Sequence, residues 1–209
     1  MFLLIEETNS VLPKHFQIQH KEIHINFSKF HFQFAFSLYN FQRHRELKHN
    51  LKIDKEVFDL MNRQVADDLI HLLSHEYIYY LPQFNHLYDG AKEILDYLYP
   101  NYNLHIITNG FQSVQDGKMK NSDLLKYFKT ITNSESAGVK KPNPTIFSHA
   151  IQLANAEKEK SLMIGDSWEA DIEGALNFGM DAIFFNEFNV PVENNFPQVN
   201  HLLDLKNYL

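Results

Sequence analysis

The chain has 209 residues, no cysteine, 44% hydrophobic content and a formal charge of −7 at pH 7. That length suits one domain, or one domain with an insertion, and supports a sizeable core. The acidic balance argues against a nucleic-acid or membrane-surface protein, since both present a concentrated basic face. The lack of cysteine excludes disulfides, thiolate metal sites and cysteine nucleophiles. No apolar run approaches the ~20 residues of a membrane span. The apolar start at residues 2–5 is shorter than the ~7–15 residues of a signal-peptide core. A soluble, cytoplasmic protein is expected.

The first 50 residues differ from the rest. They contain no Asp and no Gly, yet hold 8 of the 18 Phe and 6 of the 12 His, and carry a charge of +2. All 12 Asp and all 7 Gly lie from Asp54 onward. In residues 13–50, Phe30, Phe32, Phe34 and Phe36 alternate at period two, a strand signal with no hairpin partner nearby. Across residues 54–82, Val57, Phe58, Leu60, Met61, Leu69, Ile70, Leu72, Leu73 and Tyr77 recur at helical spacing, which predicts a small all-helical piece.

From Gly90 the pattern alternates. Ile94, Leu95 and Leu98 share a helical face that Pro100 stops. Residues 104–107 read as a buried strand ending at Thr108-Asn109-Gly110. Residues 111–128 read as helix and 130–132 as a weaker strand. Asn143 and Pro144 are the cap and first turn of a helix striped by Ile146, Phe147, Ala150 and Ile151. A strand at 161–164 ends in Gly165-Asp166, a helix runs from 168 to 178 and stops at Gly179, a strand covers 181–185, and 198–209 closes as a helix. Such alternation predicts a parallel α/β sheet.

In open parallel sheets, ligands bind beyond the carboxyl ends of strands. Three polar clusters fall there: Thr108-Asn109-Gly110, Lys140-Lys141-Pro142, and Gly165-Asp166 with Asp171. Thr108 offers a hydroxyl beside backbone N–H groups where a helix begins, which suits an anion; its commoner role is to cap that turn. Lys141 can neutralise a phosphate or a buried carboxylate, or stand in solvent. Asp166 and Asp171 suit Mg²⁺, a cation of hard oxygen ligands, or simply favour a helix N-terminus. The histidines show no metal-ligand spacing and no His-Glu-x-x-His. Trp168 can touch a ligand, but packing on the sheet is the commoner role.

Together, Ile106-Ile-Thr-Asn-Gly110, Lys140-Lys-Pro-Asn-Pro-x-Ile-Phe147 and Met163-Ile-Gly-Asp-x4-Asp-Ile-x-Gly-Ala175 resemble motifs II, III and IV of the haloacid dehalogenase-like phosphohydrolases. The stretch from Thr108 to Phe111 and residues 133–147 look most like the pyrimidine 5′-nucleotidase branch. The resemblance covers residues 54–209 and implies a Rossmann-like core with a parallel sheet and an N-terminal helical cap. It implies Mg²⁺-dependent hydrolysis of a small phosphorylated metabolite, a nucleoside 5′-monophosphate first among them. Thr108, with Asn109 and Gly110, would bind the transferring phosphoryl group, and Lys141 would hold nucleophile and phosphate together. Asp166 would ligate Mg²⁺, and Asp171 would support that metal site.

Motif I of that family is Asp-x-Asp-x-Thr after the first, central strand, and no Asp precedes Asp54. The sequence offers residues 2–5 as that strand, followed by Glu6, Thr8 and Ser10 at the motif positions. Glu6 would then take the nucleophile's place and Thr8 that of the acid/base, both at the metal site. The expected division is residues 1–12 as first core strand and altered motif I, 13–88 as cap region, and 89–209 as core. A Glu nucleophile one methylene too long and a missing acid/base predict weak or absent turnover. The alternatives are a catalytically inactive phosphate- or nucleotide-binding protein, and the product of a frameshifted or truncated gene.

Overall fold

The computed structural model describes residues 67–68, 79–83, 86–192 and 196–209, together with the backbone of 22–25. Among these lies a six-stranded sheet in the order β3-β2-β1-β4-β5-β6, with every adjacent pair of strands parallel. The strands are β1 Glu22–Ile25, β2 Asn103–Thr108, β3 Phe128–Asn133, β4 Ser161–Gly165, β5 Asp181–Phe185 and β6 Gln198–Val199. The helices are α1 Ala91–Leu98, α2 Gln112–Asn121, α3 Ser134–Ala137, α4 Pro144–Ala154 and α5 Gly174–Phe178. No helix among the described residues is long and apolar enough to cross a membrane.

Strand alternation builds the core on both faces of the sheet. Ile106, Leu162, Ile164, Ile183 and Phe185 meet Ile94, Leu95 and Leu98 of α1 on one face. Ile107, Met163, Ala182 and Phe184 meet Ile146, Phe147 and Ala150 of α4 and Ala175 of α5 on the other. The three layers are those of a doubly wound α/β fold. The Asn143 side chain accepts from the Thr145 N–H at 2.9 Å, so the predicted cap and first-turn proline open α4.

Several elements depart from the sequence reading. The place between β2 and β4 is filled by Glu22–Ile25, with Ile23 level with Leu104 and Leu162, and Ile25 level with Ile164. Residues 2–5 were expected in that place and, like the alternating phenylalanines, lie outside the described residues. The helix expected over 111–128 ends at Asn121, because Asp123 turns into the left-handed region (φ 57°) and the Leu124 N–H returns to the Met119 carbonyl at 3.0 Å. The helix expected over 168–178 begins as a π turn, Trp168–Glu173, before α5, and stops at Gly179 (φ 92°) as read. The closing helix is replaced by β6 and a 3₁₀ segment, Leu202–Asn207. Strand β5 would otherwise present an open edge; the Phe184 and Asn186 N–H groups instead donate to Pro197 and Val199 at 2.9 and 2.7 Å.

His105 of β2 is a buried polar group on the α4 face. It is 3% exposed, its Nδ1 lies 2.6 Å from Thr130 Oγ1, and burial, aided by the Lys129 charge, pushes its pKa down to about 3. The unfolded chain takes up this proton near pH 6.5, whereas the fold resists it down to the lower value. Stability therefore falls as pH drops below 6.5, by about 2 kcal/mol at pH 5 from this residue alone. Urea unfolding at pH 7 and pH 5 should show that loss, and His105→Gln should remove it; an equal loss in both proteins would refute the assignment.

Candidate functional site

The segments beyond the carboxyl ends of β2, β3 and β4 bring Thr108, Asn109, Gly110, Lys141, Asp166 and Asp171 to one edge of the sheet. Lys141 is the centre. Its ammonium lies 2.8 Å from Asp171 Oδ1 and donates to the Ile107 carbonyl at 3.3 Å, and the two ionic side chains are 3% and 0% exposed. Burial pulls the Lys141 ammonium below the usual lysine range; Asp171 pulls it back, and Asp166 adds to that. A buried cation held by one carboxylate, with a second nearby, is suited to meet a further anion at this edge.

The backbone of Lys141 is fixed by Asn109. The Asn109 side chain accepts from the Lys141 N–H at 2.8 Å and donates to the Lys141 carbonyl at 3.1 Å. Ser134, at the start of α3, donates to the Asn109 carbonyl at 3.2 Å. Asn109 is thus a bracket between two loops as well as a neighbour of the anion position. The Lys141–Pro142 peptide is cis.

Thr108 is 4% exposed, and its Oγ1 accepts from the Gly110 N–H at 3.1 Å. The capping role therefore holds, and it leaves the hydroxyl hydrogen to point at an anion. At the N-terminus of α2, the Gln112 N–H donates to Glu135 Oε2 at 2.6 Å. Of the backbone N–H groups at this point, those of Gly110 and Gln112 are thus donated within the chain.

Asp171 also reaches the motif that carries Asp166. Its Oδ2 accepts from the Ser167 N–H at 3.0 Å, so one carboxylate ties Lys141 to the turn after Asp166. A Cβ on Gly165 would stand 2.4 Å from the Asp171 Cβ, so only glycine permits this approach. Both oxygens of Asp171 are committed within the chain. Asp166, partly exposed one residue beyond β4, offers a hard oxygen donor. Among the described residues no three His, Cys, Asp or Glu converge as a ready metal cage. Mg²⁺ commonly uses one or two carboxylates, water and substrate phosphate, and Asp166 fits that arrangement as the protein's carboxylate.

Trp168 packs on the sheet, edge-on to Phe184 and Phe196 at 5.5 and 5.1 Å, with its ring N–H on Glu173 at 3.0 Å. Glu6, Thr8 and Ser10 lie outside the described residues. Sequence reasoning missed Ser134, Ser167 and Tyr88. The serines carry only a generic capping signal. Tyr88 donates to Glu187 Oε2, 99 positions away, at 3.1 Å, a pairing no local pattern announces.

Comparison with known proteins agrees with this geometry. Residues 8–185 match the sequence model of the haloacid dehalogenase-like hydrolases. Pyrimidine 5′-nucleotidase PynA of Streptococcus pneumoniae is 39% identical over 116 residues, covering 54% of this chain and 49% of that protein. Pyrimidine 5′-nucleotidase YjjG of Escherichia coli is 38% identical over 98 residues, covering 46% and 44%. The chain thus spans about half the length of the curated relatives it matches. The magnesium-bound crystal structure of YfnB from Bacillus subtilis superposes with a TM-score of 0.71 at 24% identity, over 83% of this chain and 77% of that one. A match over most of its length, on a fold shared with those structures, makes this chain a member of the haloacid dehalogenase-like hydrolase family.

Proposed function

We propose that this edge binds the phosphate of a small phosphomonoester, a nucleoside 5′-monophosphate first among them, together with Mg²⁺. The observation that carries the reading is the buried Lys141–Asp171 pair, placed beside Thr108 and tied to the turn that follows Asp166. The Thr108 hydroxyl and the Lys141 ammonium supply hydrogen bonds and positive charge to phosphate oxygens, the charge neutralisation that phosphoryl transfer needs. Asp171 holds Lys141 in place, and Asp166 holds the cation. When bound, Mg²⁺ adds charge stabilisation at the phosphate oxygens. The nucleotidase relatives support the substrate class.

The nucleotidase relatives point to phosphomonoester hydrolysis, and a second reading, binding with little or no turnover, has its own observation. The family's nucleophile follows the central strand. That strand is β1, and the next residues in the sequence are Asn26, Phe27 and Ser28. An amide is no nucleophile toward phosphorus, and a serine hydroxyl is a poor acid/base at neutral pH. We therefore favour a phosphate- and nucleotide-binding member of the family with weak or absent turnover.

The test is a calorimetric titration of uridine monophosphate with Mg²⁺, beside a phosphate-release assay. Binding should appear in the wild type. Thr108→Val should weaken it about tenfold or more, the cost of one hydrogen bond to a charged oxygen. An absence of binding at millimolar nucleotide would sink the phosphate-site reading. Phosphate release within tenfold of an ordinary nucleotidase would sink the low-turnover reading.

A further inference from the structure

Asn109 is gripped from two sides by one stretch of chain. Strand β3 ends at Asn133, level with Thr108 of β2, and the connection from there to α4 contains both Ser134 and Lys141. At its start, the Ser134 hydroxyl donates to the Asn109 carbonyl at 3.2 Å. Toward its end, Lys141 engages both ends of the Asn109 amide: its N–H donates to Oδ1 at 2.8 Å, and its carbonyl accepts from Nδ2 at 3.1 Å. Ser134 is 0% exposed, so water does not stand in for its hydroxyl.

The grip is anchored. Asn133 and Ser136 cap α3 reciprocally: the Ser136 N–H donates to Asn133 Oδ1 at 2.8 Å, and the Asn133 N–H to Ser136 Oγ at 3.2 Å. Glu135, beside Ser134, accepts from the Gln112 N–H and so ties the exit of the Thr108–Gln112 loop to α3 as well. Hydrogen bonds therefore run from a capped turn, through Asn109, to the backbone that carries the Lys141 ammonium. A binding group keeps its value only while its support holds it to within about 0.5 Å. With its amide spent on the Lys141 backbone, Asn109 serves to place that residue.

We propose that Ser134 is a positioning residue for phosphate binding: through Asn109 it fixes the Lys141 backbone, and with it the placing of the ammonium beside the Thr108 hydroxyl. The inference rests on the phosphate role proposed for Thr108 and Lys141. Phosphate affinity then depends on a buried serine that touches neither phosphate nor cation.

The experiment is calorimetric titration of the full chain with uridine monophosphate and Mg²⁺, for the wild type, Ser134→Ala, Asn109→Ala, the double variant and Thr108→Val. Ser134→Ala removes one neutral hydrogen bond and should weaken binding about threefold; Asn109→Ala removes two and should weaken it about tenfold. The double variant should bind no more weakly than Asn109→Ala, because without the amide nothing passes from Ser134 to Lys141. A merely structural Ser134 would lower the melting temperature, and its effect on affinity would be nil or would multiply with that of Asn109, to about thirtyfold. Wild-type affinity in either single variant, or multiplied losses in the double variant, with Thr108→Val still weakened, overturns this inference alone. No binding in the wild type, or wild-type affinity in Thr108→Val, overturns the phosphate reading and the inference with it.

Discussion

Replacing Asp171 with alanine should lower stability by about 3–5 kcal/mol, because it strands the Lys141 ammonium away from water. The lysine head is 3% exposed and the aspartate 0%, so solvent cannot take over the role of the lost carboxylate. The Ser167 N–H loses its acceptor in the same step. Lys141→Met combined with Asp171→Asn leaves no buried charge, and should recover most of the loss. Urea unfolding at pH 7 measures both, read from the midpoint at constant slope. Equal losses in the single and double variants would show that the charge on Lys141 is not what makes Asp171 necessary. A buried pair is by itself weak evidence of stabilisation, since a well-packed apolar pair often serves as well. Its presence at the edge where strands end is more readily explained by the need for a held positive charge there.

From Gly90 onward, sequence periodicity located every strand of the sheet's core, because buried parallel strands read as apolar runs and the helices between them carry apolar stripes. The site residues were legible for a related reason: polar side chains directly after such runs stand where parallel sheets bind ligands. The structure brings Thr108, Lys141, Asp166 and Asp171 together from three separate loops. What stayed hidden depends on pairing between distant segments. Residues 2–5 are a pure apolar run, whereas Glu22-Ile-His-Ile25 mixes polar with apolar residues, so local hydrophobicity pointed to the wrong segment for the centre of the sheet. Only register, with Ile23 between Leu104 and Leu162, identifies β1. Residues 198–199 read as helix until the open edge of β5 is seen to need a partner. Tyr88 and Glu187 follow the same rule at the level of side chains.

The position of β1 makes the missing chemistry testable at a defined place. Asn26→Asp supplies a carboxylate directly after the central strand, and Ser28→Asp supplies an acid/base two residues on. With Mg²⁺ and uridine monophosphate, the double variant should release phosphate at least ~10²-fold faster than the wild type, the lower end of what a positioned acid/base contributes. A carboxylate nucleophile splits the displacement into two easier steps. Glu6→Asp with Thr8→Asp makes the same two changes after residues 2–5 and should leave the rate unchanged. The opposite result, a gain from the second pair and none from the first, would return the central place to residues 2–5. Lys141→Met added to the Asn26/Ser28 double variant should abolish the gain, because the new nucleophile and the phosphate would lack the cation that holds them together. Persistence of the gain without Lys141 would mean that the added carboxylates act elsewhere.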